Sequence, residues 1–383
     1  MIKLLRITTV SHSLDLLLKD QLRYVGERGI QITIACAKDN KIKVIKEREK
    51  VNYCELKLTR TLNPIKDLFV LLAAVKIMRK LRPDIVHTHS PKAGIVGMLA
   101  AWICRVPLKI HTVAGLPLTE AEGLKRQILI LVEKVTYFCA DYILPNSFRQ
   151  KEFIEDNIYK GVKLQVIGKG SSNGIDLSYF NPDLFDSFFR EKFRNSLNIG
   201  KDDIVYSFVG RLAHYKGVNE LIKAFCILNN KYSNVKLILV GPFEELNPLE
   251  NNTLELLNLN KNIISVGHQD DIRPYLAVSD IFVFPSYREG FPQSLMQAAA
   301  MNLACIATNI NGCNEIIEDN INGVLISPKN YEEILDRCEF LYLNSEFRIR
   351  ISKNARYNMV QNFEQKRFWD KLIGFYNEKL KRK

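Results

Sequence analysis

The sequence predicts an α/β protein with two doubly wound parallel-sheet domains, and three observations lead to this class. The chain has 383 residues, more than one hydrophobic core usually supports. Short apolar runs rich in β-branched residues alternate with stretches of helical periodicity. This alternation stops once, in the Gly- and Ser-rich stretch 166–182, and then resumes. Because strand–helix–strand units build parallel sheets covered by helices, two sets of such units predict two domains.

The first set of elements occupies the N-terminal half. Its strands are short apolar runs, and its helices carry apolar residues at intervals of three and four. One helix ends at Gly29 and another ends before Pro83, as expected of residues that stop helices. The predicted strands are 3–10, 30–37, 84–89, 106–115 and 141–147, and the predicted helices are 14–29, 64–81, 92–105 and 124–140.

The second set follows the interruption and leads into a helical tail that starts near residue 331. We therefore divide the chain into an N-terminal domain (1–170), a second domain (171–355) and a C-terminal helix (356–383). The predicted strands of the second set are 203–210, 235–241, 262–267, 280–286, 303–308 and 322–327, with helices between them.

Charge is unevenly distributed along the chain. The net charge is +12, and residues 1–170 hold 29 Lys and Arg against 16 Asp and Glu. Such an excess indicates an anionic partner, which is membrane lipid, a phosphorylated substrate or nucleic acid, unless the lysines are simply solvated. Nucleic acid is not expected, because no helix-turn-helix, RNA-binding aromatic motif or zinc-ligand spacing is present.

Composition also excludes a membrane-spanning protein. No apolar run reaches the roughly 18–20 residues that a spanning helix needs, and the runs 68–78 and 94–104 are short enough to be buried helices. The N-terminal apolar run meets polar residues at once, which predicts a strand and not a signal peptide. Eight cysteines without a CxxC pair predict reduced thiols in a cytoplasmic protein.

The most informative motif is VFPSYREGFPQSLMQ at 283–297. An apolar strand ends in a polar loop, and Pro292 then suits the first position of a helix. The start of a helix offers unpaired N–H groups and the positive end of its dipole, which favour phosphate. Gly290 lets the backbone approach a ligand, and Glu289 supplies a carboxylate for ligand hydroxyls. With a basic pair upstream, Arg211 and Lys216, the motif predicts a nucleotide-sugar site.

Several blocks of the chain together resemble glycosyltransferase family 4, whose members have the GT-B fold. A strand, Gly-Arg and Lys-Gly follow one another in SFVGRLAHYKGVNELIKAF, and the motif at 283–297 matches the second signature block. The segments 311–326, 85–101 and 106–117 are also typical, the last two of enzymes that build bacterial surface polysaccharides. The resemblance covers nearly the whole chain. It implies two Rossmann-like domains facing across a cleft, with a C-terminal helix returning to the first domain.

The resemblance implies roles for residues that bind the donor. Arg211 and Lys216 would neutralise the diphosphate as it leaves, and Glu289 would bind hydroxyls of the donor sugar, so these three are the predicted catalytic residues. The other predicted donor-binding residues are Gly210, His268, Gly290, Phe291, Pro292, Gln293, Ser294, Leu295 and Gln297.

Gln297 departs from the family pattern. Eight residues after the first Glu, the family usually has a second Glu that binds the ribose of the nucleotide, and this chain has Gln297 there. An amide still donates and accepts hydrogen bonds, so contact with the ribose survives, although a charged acceptor binds a hydroxyl more strongly. A helix residue without ligand contact is the alternative.

The first domain departs further. Many members have a Gly-rich loop after the first strand, where this chain has His12 and Ser13, and Ser13 is expected to cap the next helix. The His that relatives often carry two residues after the Thr is Ala114 here, so His111 is expected either in the core or on the acceptor side. His87 and His89 share one face of a strand but lack a third ligand, so no metal site is predicted. The predicted acceptor-side residues are His12, Ser13, His89, Ser90, Lys92, His111 and Thr112.

The resemblance also implies the reaction and its partners. Family 4 enzymes retain the donor's anomeric configuration, and the protein mainly supplies positioning and phosphate electrostatics. No cofactor or metal is expected, and the donor is a nucleotide sugar, most often UDP-linked. The basic first domain and tail predict a peripheral enzyme on the inner face of the cytoplasmic membrane. Its expected partners are an undecaprenyl-diphosphate-linked saccharide and an anionic membrane surface.

Two other functions stay open from the sequence. A related GT-B epimerase or phosphorylase would need acid–base groups or a Lys for pyridoxal phosphate, and neither is marked. A non-catalytic partner subunit would be expected to lack Arg211, Lys216 or Glu289, and all three are present. The nucleotide base, the sugar and the linkage are not distinguished by the sequence.

Overall fold

The computed structural model describes residues 1–59, 63–116, 118, 121–161 and 163–382, without the side chains of Leu16, Pro64 and Lys163. The chain divides into two compact units. Met1–Gly174 and Gln365–Lys383 form the first unit, and Ile175–Glu364 form the second. The sequence placed these divisions after residues 170 and 355. The second division comes later because a π-helical turn, Met359–Phe363, extends the helix of the second unit before the chain returns.

The first unit is a parallel α/β sheet. Its strands are β1 (Ile2–Ile7), β2 (Ile30–Cys36), β3 (Asn52–Glu55), β4 (Ile85–His89), β5 (Leu108–Val113), β6 (Tyr142–Pro145) and β7 (Lys163–Leu164). They pair in parallel in the order β3-β2-β1-β4-β5-β6-β7. Its helices are α1 (Ser11–Leu17), α2 (Gln21–Gly26), α3 (Lys41–Glu49), α4 (Pro64–Leu81), α5 (Pro91–Ile103), α6 (Gly123–Cys139) and α7 (Phe148–Asn157).

The second unit is also a parallel sheet with helices. Its strands are β8 (Ile204–Val209), β9 (Val235–Val240), β10 (Ile263–Gly267), β11 (Ile281–Phe284), β12 (Ala304–Thr308) and β13 (Val324–Ile326), in the order β10-β9-β8-β11-β12-β13. Its helices are α8 (Ser187–Ser196), α9 (Val218–Lys231), α10 (Asn251–Leu259), α11 (Arg273–Ala277), α12 (Gln293–Ala300), α13 (Cys313–Ile316), α14 (Tyr331–Leu343) and α15 (Ser345–Asn358).

The last helix, α16 (Gln365–Lys381), belongs to the first unit. Side chains alternate between the two faces of β1, so Leu4 joins a core cluster with Trp369 and Tyr376 of α16, while Leu5 joins the cluster under α4 and α5. Each unit therefore has its own buried core, and the C-terminal helix completes the core of the first.

The order of strands reverses once in each sheet, between β1 and β4 and between β8 and β11. In doubly wound folds, ligands bind beyond the carboxyl ends of the strands at such a point. No helix among the described residues has the length and apolar character needed to cross a bilayer. All eight cysteines are free thiols.

Three predicted details of the elements are wrong. The stretch 14–29 forms two helices, because Asp20 adopts a left-handed φ of +63° and interrupts it. Helix α1 already begins at Ser11, so Ser13 lies inside its first turn and does not cap it. Pro292 is the extended N-cap of α12 and not its first helical residue.

A buried carboxyl makes the stability of the first unit depend on pH. Burial raises the pKa of Glu133 on α6 to about 7, from 4.5. The folded chain thus binds this proton more tightly than the unfolded chain, so the contribution of Glu133 to stability is present at low pH and is lost as pH rises through about 7. Glu133→Gln keeps the shape without the charge. We expect it to raise the free energy of unfolding by about 1–3 kcal/mol at pH 8 and to change little at pH 4.5.

Urea unfolding at the two pH values measures this effect, with the exposed Glu47→Gln as the matched control. A gain of equal size at both pH values, or the same gain in the control, would contradict the role of Glu133.

Candidate active site

The loops that follow β8 and β11 are held together by their backbones. The amide of Tyr287 donates a hydrogen bond to the carbonyl of Tyr215 at 2.9 Å. A Cβ atom on Gly217 would lie 2.1 Å from the carbonyl oxygen of Pro285, and the φ of Gly217 is +70°. Both the contact and the dihedral require glycine, so Gly217 sets the distance between the two loops.

The loop after β12 supports the same region from the other side. The hydroxyl of Thr308 donates to the carbonyl of Ser286 at 2.5 Å. A Cβ atom on Gly312, whose φ is +80°, would lie 2.4 Å from the carbonyl oxygen of Gly290. The polar loop before α12 is therefore positioned by backbone contacts on both sides.

This arrangement brings Lys216 and Glu289 into an ion pair. The Nζ atom of Lys216 lies 2.5 Å from Oε1 of Glu289, and the two side chains are 15% and 13% exposed. Because both side chains keep some exposure, Lys216 can exchange Glu289 for a stronger anion. A diphosphate would then take the ammonium group, and the carboxylate of Glu289 would become available to accept hydrogen bonds from sugar hydroxyls.

Two further cations lie around the ring of Tyr215. The guanidinium carbon of Arg288 is 4.5 Å from the ring centroid, that of Arg211 is 5.4 Å away, and Lys216 Nζ is 5.6 Å away. Arg211 is half exposed and also pairs with Glu244. Burial raises the pKa of the Tyr215 hydroxyl, so this phenol stays neutral among the cations. Three positive charges at one edge of the sheet create a favourable place for an anion.

Helix α12 begins directly after this loop. Its N-cap, Pro292, makes no side-chain cap, and no acidic residue lies in the first turn. The positive end of its dipole is thus not neutralised by a carboxylate of its own first turn, which favours phosphate. Gln293, Ser294 and Gln297 are partly exposed on this helix.

Three of the predicted donor-binding residues are Phe291, Leu295 and His268. The side chains of Phe291 and Leu295 are buried in the core of the second unit, and the Phe291 ring packs 5.6 Å from that of Phe363. Only their backbone groups remain for a ligand. His268 follows β10 with its ring well exposed and lies 3.6 Å from Asp270. The predicted catalytic residues lie near the ends of β8 and β11, where Gly210 also lies, whereas His268 follows another strand.

The first unit contains a buried polar network that the sequence pattern does not predict. Arg6 on β1 is 1% exposed. Its Nη1 lies 2.7 Å from His87 Nδ1 and also contacts the hydroxyl of Tyr376 on α16, while Nη2 donates to Gln21 Oε1 at 2.5 Å. Because a guanidinium only donates, His87 Nδ1 accepts, and its Nε2 carries the proton that it donates to the Thr112 hydroxyl, 2.7 Å away. Burial, followed by the charge of Arg6, lowers the pKa of His87 well below its usual value.

His89 lies beside this network on the same face of β4. It stacks on His87 with ring centroids 4.6 Å apart, and neither ring nitrogen has a hydrogen bond within the described part of the chain. It lines a cavity of about 10 Å³, room for about one water, together with Asn146 and Ser172. Because buried polar atoms are normally hydrogen-bonded, we expect a water or a polar ligand atom to bind the imidazole of His89 in this space.

Ser90 adds a strained backbone next to His89. Its φ is +75° and its ψ is 148°, a backbone conformation that residues other than glycine rarely adopt. Its hydroxyl lies 2.8 Å from that of Thr9. Strain of this kind clusters at functional sites, so His89 and Ser90 remain the best-placed acceptor-side candidates.

Other predicted acceptor-side residues are not gathered there. His111 belongs to the core: its Nδ1 lies 2.8 Å from the Thr88 hydroxyl, and burial lowers its pKa to about 3. Lys92 is buried in an ion pair with Asp67 of α4. His12 is exposed on α1. Over the described ranges, no group of three or more His, Cys, Asp and Glu side chains could hold a metal ion.

Comparison with known proteins matches both halves of the chain. The model for glycosyl transferases group 1 matches residues 189–358, and the glycosyl transferase 4-like domain model matches residues 18–170. The chain is 31% identical to the capsular polysaccharide biosynthesis glycosyltransferase CapM of Staphylococcus aureus, over 99% of this chain and 98% of the relative. It is 32% identical to the UDP-Gal:alpha-D-GlcNAc-diphosphoundecaprenol alpha-1,3-galactosyltransferase of Escherichia coli, over 83% of this chain and 81% of the relative.

Solved structures match as well. The crystal structure of Anabaena HepE in complex with UDP has a TM-score of 0.83 to this chain at 19% identity, covering 98% of this chain and 100% of that one. The fold and the matching sequences define a glycosyltransferase with the GT-B fold, which confirms the predicted fold class and enzyme class. The chain belongs to glycosyltransferase family 4, as its sequence motifs predicted.

The position of His111 in the core gives a testable prediction about Gly94 on α5. A Cβ atom at Gly94 would lie 2.5 Å from His111 Cε1, while one at Gly374 on α16 would meet nothing within 4 Å. We expect Gly94→Ala to lower the free energy of unfolding by about 1–3 kcal/mol and Gly374→Ala to raise it by about 0.5–1 kcal/mol. Chemical denaturation measures both; equal effects of the two alanines would contradict the packing described for His111.

Proposed function

We propose that this glycosyltransferase moves a hexose or an N-acetylhexosamine from a UDP-sugar to a lipid-linked saccharide during synthesis of capsule, O-antigen or exopolysaccharide. The observation that carries the proposal is that Arg211 and Lys216 lie around the ring of Tyr215, while Lys216 pairs with Glu289 just before the start of α12. Cations and a helix N-terminus at the end of a strand suit a diphosphate, and the adjacent carboxylate suits a sugar.

In the proposed reaction, the acceptor oxygen bonds to the anomeric carbon on the face from which the diphosphate departs, so the configuration is retained. The bond from carbon to the diphosphate oxygen breaks, and the acceptor's proton passes to the departing diphosphate. Lys216 and Arg211 stabilise the negative charge that develops there, and the dipole of α12 adds to this effect. These groups provide the charge that a metal would otherwise supply, so we propose a reaction without metal or cofactor.

The acceptor is proposed from the relatives and from charge. The E. coli relative is named for transfer to a GlcNAc-diphosphoundecaprenol. The N-terminal 170 residues carry 29 basic and 16 acidic side chains, which favours work beside an anionic membrane. We therefore propose an undecaprenyl-diphosphate-linked saccharide as acceptor, with the enzyme peripheral on the inner face of the cytoplasmic membrane.

The role of Lys216 is tested by Lys216→Gln. Loss of one cation from the departing diphosphate should lower kcat by about 10²–10³-fold, since positioned charges act most strongly in the transition state. The matched control is Lys231→Gln, because Lys231 pairs with Glu339 on the surface of the same unit. UDP release in the presence of a lipid-linked acceptor measures both variants. Activity of folded Lys216→Gln within twofold of wild type would rule out the assignment.

The role of Gln297 is tested by restoring the family's carboxylate. If Gln297 contacts the ribose, Gln297→Glu should tighten binding of UDP by about 3–10-fold, because a charged acceptor strengthens a hydrogen bond to a hydroxyl. Gln293→Glu on the same helix is the matched control. It adds the same charge beside the proposed diphosphate and should weaken binding by a similar factor. Isothermal titration gives both affinities, and equal shifts in the same direction would contradict the proposed orientation of UDP.

A further inference from the structure

Helices α4, α5 and α6 form a layer over one face of the first sheet. α5 packs against both of its neighbours. On the inner side of α4, Val70, Ala74 and Met78 join the core beneath the layer. The outer side of α4 is apolar as well, since Ile65, Leu68, Phe69 and Leu72 are between 56% and 72% exposed.

The outer side of α6 repeats this pattern. Leu124, Ile128, Leu131 and Phe138 are between 44% and 73% exposed. At the end of α5, Trp102 is 51% exposed, and its ring lies 6.5 Å from that of Phe138. The apolar side chains of α6 are thus continuous with the end of α5.

The spacing of these side chains makes them two stripes. On α4 they recur at intervals of three and four, and on α6 they do so from residue 124 to residue 131. A helix in a globular protein usually turns one such stripe toward the core and presents polar residues on the other side. Single exposed apolar residues are ordinary, but two apolar stripes on helices of one layer mark a surface that binds a membrane or another molecule.

Basic residues flank the stripes. Lys66, Lys76, Arg79 and Lys80 are exposed on α4, Lys125 and Lys134 on α6, and Arg105 after α5. The acidic residues of the two helices are placed differently: Asp67 pairs with Lys92, and Glu133 is buried. Apolar stripes bordered by Lys and Arg are typical of helices that lie in the interface of an anionic bilayer.

We propose that the outer surface formed by α4, α6 and the end of α5 is where this enzyme contacts the membrane. The apolar stripes enter the boundary between headgroups and acyl chains, and the flanking Lys and Arg contact lipid phosphates. The proposal rests on the proposed lipid-linked acceptor for its purpose, and it adds which surface makes the contact and that the contact is apolar as well as electrostatic.

A second copy of the chain fits this surface less well. In a two-fold dimer the same patch faces itself, so the Lys and Arg of one copy would oppose those of the other. Like charges brought together in this way disfavour association. An anionic bilayer instead complements both the charge and the apolar side chains.

Vesicle binding tests the surface directly. The double variant Phe69→Glu, Leu131→Glu should lose at least about tenfold in binding to vesicles of phosphatidylglycerol and phosphatidylethanolamine (3:7), because each carboxylate would enter the lipid interface. The matched control is Leu246→Glu in the second unit, a residue 94% exposed, and it should bind like wild type. Equal binding by the double variant and the control would overturn the proposal.

The two tryptophans of the chain provide a measurement of depth. Trp102 lies on the proposed surface, whereas Trp369 is buried in the core of the first unit. Vesicles with brominated acyl chains should quench the emission of the wild type, and Trp102→Phe should abolish the quenching while Trp369→Phe keeps it. Quenching that persists in Trp102→Phe, or no quenching in the wild type, would contradict insertion.

Measurements of UDP release and of oligomeric state distinguish a failure of this proposal from a failure of the proposed function. With a short-chain, water-soluble acceptor the double variant should release UDP at the wild-type rate, whereas with acceptor embedded in vesicles its rate should fall about tenfold. Loss of both rates in a folded variant would place the surface in the catalytic machinery and overturn the proposal. Light scattering that showed a wild-type dimer and a monomeric double variant with unchanged vesicle binding would assign the surface to a second copy. Failure of the wild type itself to transfer sugar would count against the proposed function alone.

Discussion

The proposed donor site depends on the backbone contact between Gly217 and Pro285. Lys216 and Glu289 come from loops that follow two different strands, β8 and β11, and those strands pair in parallel. Pairing alone aligns the strands; the loops meet because Gly217 has no Cβ atom to push Pro285 away. That contact brings Lys216 beside Glu289, while Thr308 and Gly312 hold the loop before α12 from the other side. The proposed site for a leaving diphosphate is therefore built mainly by backbone geometry, and its charged side chains occupy fixed positions.

The first unit is organised around a different constraint, a buried positive charge. Arg6 contacts Tyr376, His87 and Gln21, and each of these side chains is neutral. Burial lowers the pKa of Arg6, which shows how unfavourable this position is for the charge. Tyr376 comes from α16, so the helix that ends the chain is joined to the network that holds His87 beside His89. The acceptor-side candidates and the C-terminal helix are thus parts of one arrangement.

Regular elements were predictable wherever periodicity was strong. The helix 64–81 was predicted with the bounds that it has, and the predicted strands agree to within a few residues. Helices α3, α7 and α8 and strands β3 and β7 were not predicted, and both of these strands are four residues or shorter. The run 68–78 was expected to be buried, but α4 exposes one side of it. The sequence could not show this, because an exposed apolar stripe has the same period as one that faces a core. Arg211, Lys216 and Glu289 could be proposed from the sequence because they follow strands within short blocks. Arg6 and Tyr376 could not, because they lie 370 residues apart and meet only in the folded chain.

The proposed function requires that Arg211, Lys216 and the N-terminus of α12 hold the diphosphate of the donor. A crystal structure of the protein with bound UDP would locate the phosphates. We expect phosphate oxygens within hydrogen-bond distance of Arg211 and Lys216, next to the first turn of α12, with Lys216 turned from Glu289 toward the phosphate. Phosphates bound away from these groups, with Lys216 still paired to Glu289, would contradict it.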